Sequence, residues 1–177
     1  VRVQAITEED PDIKSVVCLD GLAESLAISD RYHDFVKKGT GLIHREFGHG
    51  SYRVDVDKPI DQGDSWQLGI YCAHVLHKNN LLCNELPKKG DRVFFVTGRV
   101  KSTGDIVIVD KIREKLRVAN PQFNRWLNDG CQVICVFSVE QAEELNNDAL
   151  NILGLSLEKV ETQLLGNIRE VNALLIA

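Results

Sequence analysis

Two segments of the chain hold side chains that could open an acyl bond together. The first, residues 59–65, reads PIDQGDS and opens directly into an apolar stretch. A Ser at a helix start, after a Gly-containing turn, sits among backbone N–H groups that have no intrahelical acceptor. Those donors, with the positive end of the helix dipole, can stabilise an oxyanion forming beside the Ser65 hydroxyl. A plainer reading is an N-cap, since Asp64 with Gln67 three positions on fits a capping box. The second segment, residues 97–116, reads TGRVKSTGDIVIVDKIREKL. On a helix of ~3.6 residues per turn, Ile112, Leu116 and Ala119 form an apolar stripe, and Lys115 flanks it. Burial at such an edge penalises the charged amine and lowers its pKa. To take a Ser proton near neutral pH, a Lys must fall from ~10.4 to roughly 7–8, a change of about 4 kcal/mol. The plainer reading is a surface Lys whose stem lies along the helix edge.

The second segment resembles the peptidase domain of the Lon family. That family carries a pattern close to T-G-E-V-x-L-x-G-x-V-x-P-V-G-G-L-x-E-K-L, in which the last Lys is catalytic. Laid over it without a gap, the chain supplies Thr97, Gly98, Val100, Gly104, Glu114, Lys115 and Leu116 identically, and Ile106, Val109 and Ile112 as apolar replacements. Upstream, Pro59, Asp61, Gly63 and Ser65 are similar to the family's P-K-D-G-P-S-A-G turn. The resemblance is good over residues 52–136 and poor over the first 50. It implies Ser65 as nucleophile, Lys115 as general base and Thr97 as the residue that directs the amine. Gly63, Asp64 and Trp66 then occupy the oxyanion and positioning places around the nucleophile. It also implies a polypeptide substrate, an ATPase domain or partner of the AAA+ type, and assembly into a homo-oligomeric ring, a hexamer by family habit. ATP itself would be bound elsewhere, since the chain has no G-x-x-x-x-G-K-[ST] loop and no cofactor is expected in this domain.

The sequence departs from the family at defined places. Asp64 stands for a Pro, Trp66 for an Ala and Gln67 for a Gly around the nucleophile, and Arg99 replaces an acidic residue. Asp110 and Lys111 replace paired glycines before the Lys helix. Lys115 lies 50 positions after Ser65, several more than the family's spacing, with the extra residues in HKNNLLCNELPKKGD. Three readings follow: a working Ser-Lys peptidase, a degenerate domain of the same fold that assembles or binds, and another member of the same broad α+β superfold such as a small-molecule kinase, which the missing Gly-rich phosphate loop disfavours.

Other residues could hold a metal. His74 and His77 are one turn apart, His44 and His49 lie near residues 42–56, and Cys72 or Cys83 could join them. No third ligand follows from the spacing, so core or interface histidines are expected and no metal site is assigned.

These residues need elements to position them. Residues 1–7 and 15–19 read as strands about an acidic turn, and residues 22–38 contain a helix-like stretch ended by GTG. Residues 42–47 and 52–56 read as a hairpin across GHGS. Residues 65–77 form a helix apolar nearly all round, hence central. Residues 92–100 and 105–109 are strands joined by KSTG, followed by a helix over 110–119 broken at Asn120-Pro121 and a short helix over 122–128. Residues 131–138 (CQVICVFS) make a buried strand, and residues 139–153 and 157–175 read as helices separated by Gly154. In the last of these, Leu157, Val160, Leu164, Ile168, Val171 and Leu175 form an apolar stripe that packs on the domain or docks another subunit. The sum is one α+β domain over residues 1–177, Lon proteolytic-domain-like, with a mixed sheet and packed helices.

Composition narrows the classes. With 21 Lys plus Arg against 26 Asp plus Glu, nothing supplies a basic field for phosphates, so no nucleic-acid partner is expected. No apolar run approaches the ~18–20 residues needed to span a bilayer, and VRVQAITEEDPD does not read as a secretory signal. Five Cys without a C-x-x-C pair suit a reducing, cytoplasmic compartment. The chain lacks Met and starts at Val1, which reads as a piece of a longer protein or as a sequence that has lost modified Met residues.

Overall fold

A computed structural model describes residues 1–60, 63–145 and 160–176. The class is mixed α+β. The chain divides into two compact units, one comprising Val1–Gly63, Ile70–Glu85 and Asn172–Ala177, the other Asp64–Gly69 and Leu86–Val171.

The first unit is built on a sheet of order β1-β3-β2, from β1 (Val3–Glu8), β2 (Val16–Leu19) and β3 (Tyr52–Val56). β3 pairs antiparallel to β1 and parallel to β2. Its YRVDV alternation places Tyr52, Val54 and Val56 in the core, while Arg53 and Asp55 pair on the other face at 2.9 Å. Helix α1 is Ser29–Val36, shorter than the stretch expected over residues 22–38. Residues 42–47 are not the first strand of a hairpin but a helix, α2 (Leu42–Phe47). The GHGS segment misleads because Gly48 acts as a left-handed helix stop (φ 82°), its N–H returning to the His44 carbonyl, rather than as a hairpin turn.

Helix α3 (Trp66–Lys78) contributes residues to both units. Leu68, Ile70, Tyr71, Cys72, Ala73, His74 and Val75 are all buried, as expected for a helix that is apolar nearly all round.

The second unit carries a fully parallel sheet of order β4-β7-β8 and a two-stranded hairpin. The strand expected over residues 92–100 is divided. β4 (Arg92–Val96) runs beside β7 (Gln132–Ser138), and the Thr97 N–H bonds the Val136 carbonyl as the chain turns away. β5 (Arg99–Val100) then pairs antiparallel with β6 (Ile106–Val107) across the KSTG turn. Parallel neighbours need a crossover, and the hairpin with α4 (Ile112–Asn128) supplies it. Ile112, Leu116 and Phe123 of α4 pack on Val133, Cys135 and Phe137 of β7, with Leu145 and Val160 closing the core.

Helix α4 does not break at Asn120-Pro121; it continues through Pro121 to Asn128. Pro removes one N–H from the ladder, but Arg117 and Pro121 are both exposed, so water can satisfy the freed carbonyl. The buried stripe holds both halves in one rod. Residues 157–175 are likewise not one helix. Residues Glu161–Leu165 form β8, paired with β7 from Ile134↔Glu161 to Ser138↔Leu165, and α5 (Ile168–Ile176) follows. The expected stripe mixes a strand's inward positions with a helix's; Val160, Ile168, Val171 and Leu175 are buried, and Leu157 lies outside the described residues. The helix expected over 139–153 begins as a single 3-10 turn, Val139–Gln141; residues 146–153 lie outside the described residues. Among the described residues, no helix is long and apolar enough to cross a membrane.

Candidate active site

Asp64, Ser65, Trp66, Thr97 and Lys115 belong to the second unit, and Gly63 ends the first segment of the first. Ser65 immediately precedes α3 and is half-buried. Its carbonyl accepts the Gly98 N–H (3.1 Å), and the Leu68 N–H donates back to the Gly98 carbonyl (3.1 Å). This reciprocal pair ties the mouth of α3 to the bend between β4 and β5. The approach requires glycine, because a Cβ at Gly98 would stand 2.8 Å from Leu68 Cδ2.

Thr97 precedes that glycine and is buried. Its Oγ1 accepts from Lys115 Nζ at 3.3 Å. Lys115 lies in the first turns of α4, beside buried Ile112 and Leu116, and is itself half-buried. Burial pushes its amine below the ordinary Lys value, and the Asp110 carboxylate pulls in the opposite direction. Ser65, Thr97 and Lys115 are therefore gathered about one bend: Thr97 holds the amine, and its neighbour Gly98 holds the Ser65 backbone. Among the described residues, no hydrogen bond joins Ser65 Oγ to Lys115 Nζ.

The residue that leads into α4 takes a specific shape. Lys111 caps the helix in the left-handed region (φ 60°, ψ 34°), a conformation that costs a side-chain-bearing residue about 1–2 kcal/mol. Gly104 lies at φ 88°, and a Cβ there would meet Ile168 Cγ1 at 2.9 Å.

Around the nucleophile, Gly63 is exposed at φ 143°, and Trp66 is buried rather than facing solvent. The Asp64 carboxylate accepts from Gln67 Nε2 (3.4 Å) and lies 3.7 Å from Arg99 Nε. Asp61 lies outside the described residues. The Gln67 side chain does not close a capping box. Its Oε1 accepts the Val100 N–H at 2.9 Å, an anchor that sequence spacing did not reveal. Asp110 was also missed as the carboxylate that acts on Lys115; its signal was its place at the mouth of the Lys115 helix.

The Gln67 N–H bonds the Asp64 carbonyl (3.1 Å), so the Gln67 and Leu68 donors are both engaged. Among the described residues, the Ser65 N–H has no acceptor.

The histidines belong to the first unit. His74 is buried, with Nε2 2.9 Å from Tyr32 Oη. His49 Nε2 meets the Glu9 carbonyl at 2.8 Å. Among the described residues, no three His, Cys, Asp or Glu side chains cluster as metal ligands. Cys72 is buried and its thiol is pushed up to about 12, Cys83 is exposed, and all five cysteines are unpaired. No protein-family model matches the chain, and no curated protein matches its sequence.

Proposed function

We propose that the chain is a Lon-like serine peptidase domain that cleaves polypeptides through Ser65 and Lys115. The observation that carries this reading is the Lys115 amine, half-buried against an apolar stripe and bonded to Thr97, one residue from the glycine that clasps Ser65.

On this reading neutral Lys115 takes the proton from Ser65 Oγ, and Oγ attacks the scissile carbonyl carbon. The negative oxygen of the tetrahedral intermediate is met by the Ser65 N–H at the mouth of α3. The Lys115 ammonium gives its proton to the leaving amine as the C–N bond breaks, leaving an ester on Ser65. Water then attacks the ester with Lys115 again as base, and Ser65 is regenerated. Thr97 keeps the amine's lone pair directed. The reading extends to a cytoplasmic ring of such subunits, served by an AAA+ ATPase domain or partner that unfolds the substrate.

A fluorescent casein assay on wild type beside Ser65→Ala and Lys115→Ala tests the reading. Each variant should lose turnover by about 10⁴-fold. Equal signals from all three proteins would overturn it. A second reading, a catalytically idle domain that assembles or binds, is favoured by the missing Ser65–Lys115 hydrogen bond. Against that, catalytic hydrogen bonds commonly tighten only when substrate is bound.

A further inference from the structure

We infer that Gln67 is a positioning residue for the nucleophile, its amide joining the Ser65 turn to strand β5 through Asp64 on one side and Val100 on the other. The inference rests on the peptidase reading for its catalytic consequence, and on geometry alone for its structural one.

The primary amide is used from both ends. Oε1 accepts the Val100 N–H (2.9 Å), and Nε2 donates to Asp64 Oδ1 (3.4 Å). Asp64 is held a second time by Arg99, the residue before Val100, at 3.7 Å. The two residues flanking Ser65–Trp66 are thereby tied to two consecutive residues of β5. Backbone bonds from Ser65 and Leu68 to Gly98 complete the seam.

Backbone bonds alone define a point of contact at Gly98. Rotation of the turn about that point would swing Ser65 Oγ while leaving both bonds intact. The Gln67 bridge lands two residues further along, at Val100, and removes that rotation. A misplacement of ~1 Å at a reacting group can cost about 100-fold in rate. Gln67 touches neither substrate nor Lys115 in this arrangement; it acts through Ser65.

Three full-chain variants test this: Gln67→Leu, Gln67→Glu, and Gln67→Glu combined with Asp64→Asn. Gln67→Leu keeps volume and loses both bonds. Gln67→Glu keeps the acceptor for Val100 but sets two carboxylates against each other. Adding Asp64→Asn restores a donor–acceptor pair with its direction reversed. Amide hydrogen exchange, which does not depend on turnover, should accelerate about tenfold or more in Gln67→Leu at Val100, Gly98 and Leu68 together. Acceleration at Val100 alone would overturn the inference, because the bridge would then hold only its own contact.

With casein, kcat of Gln67→Leu should fall by roughly 10–100-fold at unchanged KM, and the double variant should recover most of what Gln67→Glu loses. A kcat within twofold of wild type for Gln67→Leu, or no recovery in the double variant, would also overturn it. If wild type shows no Ser65-dependent turnover, the peptidase reading fails, and the exchange measurement still decides whether Gln67 fixes the Ser65 turn.

Discussion

The two units each take a basic side chain out of water, to different depths. In the first unit, His74 is fully buried against aromatic rings, with Phe47 stacked at 5.8 Å and Tyr52 edge-on at 4.6 Å. Desolvation lowers it to about 3, so it stays a neutral ring hydrogen-bonded to Tyr32. In the second unit, Lys115 is half-buried, lowered by the same cause and restrained by Asp110. Complete burial makes a titratable group structural, because its charged state is out of reach in the folded protein. Partial burial makes one useful, because both protonation states stay accessible. The depth of burial, rather than the residue type, separates a core histidine from a candidate base.

The sharpest way to break this comparison is Lys115→Met. Turnover should fall by about 10³-fold or more, while the thermal midpoint holds or rises. The sign follows from linkage. A depressed folded pKa means that stability is fullest above the ordinary Lys value and is lost as pH falls through the lowered one. At neutral pH the wild-type amine is therefore a liability to folding, and a Met of similar length removes it. A large drop in the melting temperature would show that Lys115 is structural after all.

At His74 the opposite outcome is expected. Tyr32→Phe leaves Nε2 without its hydroxyl partner in a dry site and should cost about 1–3 kcal/mol, read by urea unfolding. If stability is unchanged, the 2.9 Å contact carries no weight and the ring is held by packing alone.

The sequence pointed to candidate side chains more directly than to the elements carrying them. Ser65, Thr97 and Lys115 were singled out through a motif resemblance, and their contacts run through adjacent residues: Lys115 Nζ donates to Thr97 Oγ1, and the Gly98 N–H donates to the Ser65 carbonyl. The central helix was legible because its apolar residues encircle it. The failures have local causes. Gly48 ends a helix where a hairpin turn was expected, and both roles use the same left-handed conformation. Pro121 falls on the wet face of α4, where the missing donor is cheap. Residues 161–165 were assigned to a helix because Leu164 and Ile168 suit a helical period, and a parallel ladder to β7 outweighed it. Gln67 was invisible as an anchor because its partner, Val100, is 33 positions away and offers only a backbone N–H. Local periodicity carries no information about such a bond.

A pH titration sharpens the contrast further. His74 has a folded value of about 3 against an ordinary 6.5. Its contribution to stability is fully present above about 6.5 and is lost as pH falls from there towards about 3. His74→Phe should flatten the dependence of unfolding free energy on pH across that window, after an initial loss from orphaning the Tyr32 hydroxyl. An unaltered slope would place the acid sensitivity on other groups.

The smallest effect belongs to Asp110→Asn. The Asp110 carboxylate is the charge that raises the Lys115 value against the lowering by burial. Without it the amine should lose its proton at lower pH, so the rising limb of kcat/KM should move to more acid pH, with little change on the plateau. Salt separates this from a structural effect, because Asp110 is exposed and its field is screened. The displacement between wild type and variant should shrink as ionic strength rises. A displacement that ignores salt would mean that Asp110→Asn has altered the left-handed cap at Lys111 and moved the helix rather than its charge.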